Sequence, residues 1–306
     1  MTRFALGVNT CFAVKRWPEP HRWAQIVRER MGLDLVQHSL DLVTLQGTGD
    51  LPARQAEAVR AACDRYGLRL HSTFTGLAAY SSNLLLDPDP GARAWAEDWY
   101  RRAIDFTAFV DGRATGGHVG AFTVTDWREP ERRAAREIEL RAALERLTAE
   151  ARRAGLEALY VENLAAAREP STMAQIGGLL SEGDADHVPL VLCLDVGHQC
   201  VPGTEGEERD PYVWLERLGA RAPVVQLQQS DEVADHHWPF TPETDALGRI
   251  DPDRVLRTLE ASGAEEVALM LEVIPAFEAD DDRVLDDMVA SAERWREALE
   301  RHALRA

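Results

Sequence analysis

Four polar side chains stand at the same place in four successive apolar runs. Glu162 closes Tyr160-Val161-Glu162, Asp195 closes Cys193-Leu194-Asp195, Gln228 falls in Val225-Gln226-Leu227-Gln228 and Glu272 closes Met270-Leu271-Glu272. Three carboxylates brought to one spot repel one another unless they are protonated or neutralised, and a bound divalent cation neutralises them directly. The set therefore reads as a metal centre. Taken singly, each acid could instead cap the helix that follows its run, as Asp195 ahead of Val196-Gly197 could. Recurrence on four successive runs favours one shared site over four unrelated caps.

Further polar residues close other apolar runs. Asn9, His38, His71 and His118 do so, and His198 follows Asp195 by three positions. Several imidazoles and an amide converging on one mouth suit a hydroxyl-rich ligand. Lys15 and Arg16 follow the first run and make a candidate phosphate clamp, with a surface ion pair to Glu19 as the alternative. The segment Asp235-His236-His237-Trp238-Pro239-Phe240 adds donors, His237 among them, and aromatic bulk that serves a ligand wall or lid packing equally well. Tyr80-Ser81-Ser82-Asn83 offers hydroxyls to the mouth or to its own loop. The run 116–120, rich in glycine, lets backbone approach a ligand but is not a nucleotide fingerprint.

These residues need a frame that presents strand ends together. Short apolar runs at 4–9, 34–39, 68–74, 113–119, 158–163, 190–195, 224–230 and 267–273 alternate with helical stretches at 20–31, 51–66, 90–110, 129–154, 171–180, 212–218, 252–261 and 282–304. Repeated βα units with runs that are apolar at the start and polar at the tip describe buried parallel strands whose C-terminal ends open onto an active face. The fold class expected is a (β/α)₈ TIM barrel forming one domain over 1–306, with the last helix packed outside. Gln55, Ala58, Val59, Ala62 and Cys63 follow the spacing of a helix resting one face on such a barrel. The loops at 201–210 and 232–249 are long enough to serve as lids.

Composition narrows the partners. The chain has 306 residues, 45% hydrophobic and 28% charged, with a formal net charge of −18. So acidic a surface argues against non-specific nucleic-acid or anionic-membrane binding, and leaves any anionic substrate to meet a local basic patch. No apolar run approaches the roughly 18 residues of a membrane span, and the opening residues lack a signal-peptide core, so a cytoplasmic location is expected. The four cysteines, Cys11, Cys63, Cys193 and Cys200, are scattered without a CxxC pair and read as buried free thiols. Of 34 basic residues only Lys15 is a lysine, which marks it as a residue that could be kept for its chemistry.

With Glu in the fifth run, Asp-x-x-His in the sixth, a ligand position three residues before Asp231 in the seventh and Glu in the eighth, the chain resembles the xylose-isomerase-like barrel superfamily. Within it the resemblance is to sugar phosphate isomerases and epimerases of the ketose 3-epimerase type, and it spans the whole chain. It implies that Glu162, Asp195, the strand-seven position and Glu272 hold one Mn²⁺, Mg²⁺ or Co²⁺ ion, that Glu162 and Glu272 double as the proton-transfer pair, and that His198 contacts substrate. It also implies dimers or tetramers. The sequence departs from this pattern at Gln228, where relatives carry histidine. An amide oxygen is a neutral, weaker ligand, so the resemblance implies either an oxygen-preferring ion, Mg²⁺ or Mn²⁺, or a Gln228 that stands behind the ligands. The activity implied is epimerisation or isomerisation of a small ketose or ketose phosphate through an enediolate. A metal-dependent sugar lyase and a non-catalytic sugar-binding barrel are the alternatives, while abasic-site DNA cleavage fits poorly with the charge.

Overall fold

A computed structural model describes residues 2–304. Eight parallel strands close on themselves in sequence order: β1 Arg3–Asn9, β2 Leu35–Ser39, β3 Arg69–Phe74, β4 Ala114–Gly117, β5 Ala158–Glu162, β6 Leu190–Asp195, β7 Val224–Leu227 and β8 Glu266–Leu271. The ring is sealed where β1 pairs with β8, Arg3 opposite Glu266 through Val8 opposite Leu271. Around it lie α1 Pro20–Gln25, α2 Leu51–Tyr66, α3 Pro90–Phe109, α4 Val124–Arg128, α5 Pro130–Ala154, α6 Met173–Leu179, α7 Pro211–Leu218, α8 Pro242–Asp245, α9 Pro252–Ala261 and α10 Asp281–Ala303. The chain is thus a closed (β/α)₈ barrel, as its alternating runs predict.

Helix starts follow local chemistry. Asp89, Asp210 and Asp251 each accept a backbone N–H in the first turn of the helix they precede, with proline next in the chain. The missing proline N–H costs nothing there, and the aspartate satisfies a donor that the helix cannot. Gly67 and Gly155 end α2 and α5 in the left-handed conformation at φ 62° and 85°, ahead of the next strand.

Two apolar layers divide the core. Inside the ring, Leu35, Ala114, Tyr160, Cys193, Val224, Ala268 and Met270 fill the lumen. Between ring and helices lies the larger layer, where Trp23, Trp214 and Trp295 are fully buried. Strand residues alternate between the two layers, because successive side chains point to opposite faces. Helix α10 buries Val284, Leu285, Met288, Ala292 and Trp295.

The structure revises several expectations. The stretch 20–31 is helical only to Gln25 before widening into a π-turn over Ile26–Arg30. Strand β7 stops at Leu227 because Gln229 bonds antiparallel with Trp238 instead, each N–H donating to the other's carbonyl at 2.9 and 3.0 Å. His38 points outward: its ring lies 5.3 Å from that of Trp23, stacked near Phe106, and burial lowers its pKa to about 3. The reading of the four cysteines stands unrevised, since all are buried and free. Among the described residues no helix is long and apolar enough to cross a membrane.

Candidate metal centre and active site

The same two-residue alternation that fills the lumen builds the site above it. Tyr160, Cys193, Met270 and Val224 face inward, so Glu162, Asp195, Glu272, Gln226 and Gln228 do too, one or two steps nearer the C-terminal end. Glu162, Asp195 and Glu272 are buried, with one carboxylate oxygen of each lying within 4.8 Å of the others. Asn163 and the Asp195 backbone exchange two hydrogen bonds of 2.9 Å, which clip β5 to β6 and hold Glu162 and Asp195 in register.

Each carboxylate is anchored by one oxygen and leaves the other for chemistry. Oε1 of Glu272 accepts from Nδ2 of Asn9 at 2.9 Å and from Nε2 of Gln226 at 2.8 Å. Oε2 of Glu162 accepts from the Tyr80 hydroxyl at 3.0 Å. Oδ1 of Asp195 accepts from the backbone N–H of Gly197 at 2.6 Å and from Nε2 of Gln228 at 3.0 Å. Glu162 Oε1, Asp195 Oδ2 and Nε2 of His198 are buried without a hydrogen-bond partner. Buried polar atoms normally find partners. Unsatisfied carboxylate oxygens converging on one spot are what a divalent cation satisfies, so the residues fit such an ion.

Electrostatics point the same way. Burial first, then Asp195 and Asp235, push the Glu162 carboxyl up to about 8 against the opposing pull of His198 and Tyr80. Glu272 is raised well above the carboxylate range, chiefly by burial and then by Glu162 and Asp195. Burial alone would lower the His198 imidazole, but Asp195, Asp235 and Glu162 outweigh it and raise it well above its usual value. Its Nδ1 lies 2.7 Å from the Asn163 carbonyl, which can only accept, so Nδ1 carries a proton and Nε2 faces Asp235 at 3.3 Å.

Gln228 reaches the site with the wrong atom for a metal ligand. Its Oε1 accepts the backbone N–H of His237 at 2.7 Å, while Nε2 donates to Asp195 at 3.0 Å and to Asp235 at 2.8 Å. Turning the amide over would set two donors against each other at His237 and an oxygen against two carboxylates, so the orientation is determined by its neighbours. The ligand expected of Gln228 is therefore not offered. Gly197 makes room for it: a Cβ there would fall 2.3 Å from Gln228 Cδ. Gly197→Ala is expected to displace the amide, destabilise the fold by about 1–3 kcal/mol and weaken divalent-ion binding by about tenfold or more. Thermal melts and metal titrations check this, and a variant matching the parent in both would refute the role given to the amide.

The remaining candidates divide. His118 stays in the mouth, its ring 4.8 Å from that of Tyr80 and its Nε2 3.2 Å from Glu169. Lys15 is exposed on the loop after β1, with Nζ 4.2 Å from the centre of the Phe277 ring on the loop after β8. Arg16 drops out as a phosphate clamp: its guanidinium is spent on Asp281 at 2.9 Å and on the carbonyls of Ala276 and Ala279. His71 drops out as a substrate contact. It is the third residue of β3 and lines a cavity at the opposite end of the lumen with Arg69, Arg113, Glu157 and Glu266, where burial lowers its pKa to about 4. Asn9 is redirected, since its donors go to Gln37 and Glu272 and its oxygen accepts from Cys11 N–H. It positions a glutamate, leaving no group for substrate. Phe240 is core, packed edge-on against Trp295 at 5.3 Å.

Gln37 and Gln226 complete the site without having been singled out in the sequence, and Tyr80 and Asp235 join it from loop segments that the sequence left open between site and loop roles. Gln226 was detectable, because it stands two positions before Gln228 on an inward-facing register. Gln37 Oε1 accepts from both Asn9 and Gln226 at 2.9 Å, which ties the two donors of Glu272 together. Asp235 carried no signal beyond its place in a polar loop.

Comparison with known proteins places this geometry. A family model described as xylose isomerase-like TIM barrel matches residues 27–304. The chain is 26% identical over 298 residues to D-erythrulose 1-phosphate 3-epimerase of Brucella abortus (strain 2308), covering 95% of this chain and 94% of that one. Among solved structures, a protein of Rhodospirillum rubrum provisionally described as a xylose isomerase is 34% identical, with a TM-score of 0.87 over 96% of this chain and 99% of its own. A D-tagatose 3-epimerase-like protein shares the fold at 17% identity, with a TM-score of 0.73 over 97% of each chain. With a barrel of this order and a carboxylate cluster at its strand ends, the chain belongs to the xylose isomerase-like TIM barrel family.

Proposed function

We propose that this protein is a sugar-phosphate 3-epimerase acting on a four-carbon ketose 1-phosphate, with Glu162 and Glu272 as its proton-transfer pair. The observation that carries the reading is the cluster of Glu162, Asp195 and Glu272, buried at the strand ends with an oxygen of each free of anchoring bonds. The erythrulose 1-phosphate epimerase that matches nearly the whole chain supports the substrate class.

Epimerisation at C3 requires a proton to leave one face of the carbon next to the carbonyl and another to arrive on the opposite face. The electron pair of the broken C–H bond moves into the C2–C3 bond as the carbonyl oxygen gains charge, and it returns to C3 when the second proton is delivered. Two carboxyl groups on different strands can serve the two faces. Asn9 and Gln226 fix Glu272, and Tyr80 fixes Glu162, so each presents its second oxygen without side-chain reorientation. Burial holds both carboxyls above the ordinary carboxylate range, Glu162 at about 8, which is the direction a proton carrier working near neutral pH requires. Glu162, Asp195 and Glu272 would hold a Mn²⁺ or Mg²⁺ ion, which when bound supplies the Lewis acidity that makes the C3 proton removable. His198 and His118 are assigned to substrate hydroxyls, and Lys15, on the loop after β1, to the phosphate.

Incubating the protein with D-erythrulose 1-phosphate and Mn²⁺ in D₂O tests the assignment by proton NMR. The C3 proton signal should disappear as deuterated L-epimer accumulates. A substrate recovered with its C3 proton intact would rule the reading out.

A further inference from the structure

Strand seven ends in a glutamine that turns its oxygen away from the carboxylates, yet a histidine from the loop beyond it arrives at the same place. His237 is nine residues after Gln228, and its side chain is 11% exposed. Its Nδ1 lies 3.1 Å from the backbone carbonyl of Glu272. A carbonyl only accepts, so Nδ1 carries a proton, while Nε2 lies 3.2 Å from Asp235 Oδ1 and 3.3 Å from the Gln228 amide nitrogen. A carbonyl holding one ring nitrogen while the other is turned among acidic side chains is how proteins orient an imidazole toward a metal. Among the described residues, a ring nitrogen of His237, one of His198 and an oxygen of Asp195 lie within 4.8 Å of one another. Asp195 belongs to this group and to the carboxylate group with Glu162 and Glu272, and its second oxygen is buried without a hydrogen-bond partner.

The loop is built to hold that ring in place. His237 has φ 48°, a left-handed conformation uncommon for a residue with a Cβ. The constraints are visible. Gln228 Oε1 accepts the His237 N–H at 2.7 Å, the next residue bonds Gln229 in both directions, and the His237 carbonyl accepts from Ile274 N–H at 3.1 Å. Strand seven, the loop and the end of strand eight thus pin one backbone unit from three sides. Strain held at such a point ordinarily serves a site.

We propose that Nε2 of His237 is the nitrogen ligand of this protein's divalent ion, binding together with Asp195, and that Gln228 is a positioning residue that fixes the His237 backbone. This rests on the metal-dependent reading above and changes its ligand set. The imidazole absent from strand seven is supplied from the loop that follows it.

Mn²⁺ bound to the full-length protein tests this without reference to turnover. Pulsed EPR should detect imidazole ¹⁴N coupled to the Mn²⁺, and titration should give its affinity. In His237→Ala the coupling should vanish and the affinity fall at least tenfold, with added imidazole restoring both. In His198→Ala the coupling should remain. His237→Gln, closer to histidine in bulk, is read in the same way should the alanine variant fail to fold, and is expected to bind Mn²⁺ without nitrogen coupling. Coupling and affinity unchanged in the His237 variants would overturn this inference and leave the metal reading standing. Wild-type protein that binds no Mn²⁺ would overturn both.

Discussion

Glu272→Gln is expected to lower epimerisation of the ketose phosphate by about a thousandfold, within the range for loss of a positioned general acid or base. The amide matches the carboxylate in size, and its oxygen can still accept from Asn9 and Gln226, so the fold should persist. What is lost is the ability to take up a proton. Glu162→Gln should be comparably damaging, with the Tyr80 bond kept. Because the two groups are assigned to opposite faces of C3, the variants should differ in kind. Each should abolish solvent exchange from one epimer more severely than from the other, as seen by deuterium incorporation starting from each in turn. Metal content measured on the same samples separates lost proton transfer from lost ion. A variant within tenfold of the parent, with full metal content, would remove that glutamate from the pair.

Chelation should have the next largest effect, abolishing turnover and exposing the electrostatic cost of the site. An ion present at a hundred times its Kd stabilises the folded state by about 2.7 kcal/mol. For 306 residues this is about 4 °C in Tm. The pH dependence has a definite sign. Glu162 is raised from 4.5 to about 8, mainly by burial, and Glu272 moves the same way. Groups raised on folding contribute stability that is complete below their unfolded values and is lost as pH rises through the folded ones. The chelated protein should therefore lose Tm steadily between about pH 5 and 8. Divalent-ion affinity should rise across the same interval, since the ion must displace those protons. Melting curves with and without chelator across that interval decide the matter, and a chelated protein that gains stability toward pH 8 would contradict the burial of these acids.

The barrel was legible because its signals are local. Helices at 51–66 and 252–261 match α2 and α9 residue for residue, since proline, capping aspartate and terminal glycine act within a turn of where they stand. The carboxylates were legible because inward-facing strand positions recur every second residue. What remained hidden depended on depth and on distant partners. His71 has the right residue type on the right strand, but it stands near the start of β3, a difference of height in the lumen that polarity alone does not reveal. Arg16 meets Asp281 from 265 residues away, so nothing near it marks the guanidinium as occupied. Tyr80 reaches Glu162 across 82 residues from a loop whose hydroxyls read equally well as turn-forming. Gln228 shows the same limit in chemical form: its identity is printed in the sequence, but which amide atom faces the carboxylates is decided by the His237 N–H.

The seam between β1 and β8 gives this site an order of assembly. Asn9 and Glu272, which share a hydrogen bond, are 263 residues apart, and the Arg16 clasp above them spans a similar distance. Closing so long a loop costs more entropy than pairing adjacent βα units, so these contacts are expected to form last. A folding intermediate lacking the last unit could place Glu162 beside Asp195, yet it would hold neither Glu272 nor the carbonyl that orients His237. Ring closure and completion of the proposed ligand set would therefore coincide, and a partly folded chain should bind a divalent ion weakly.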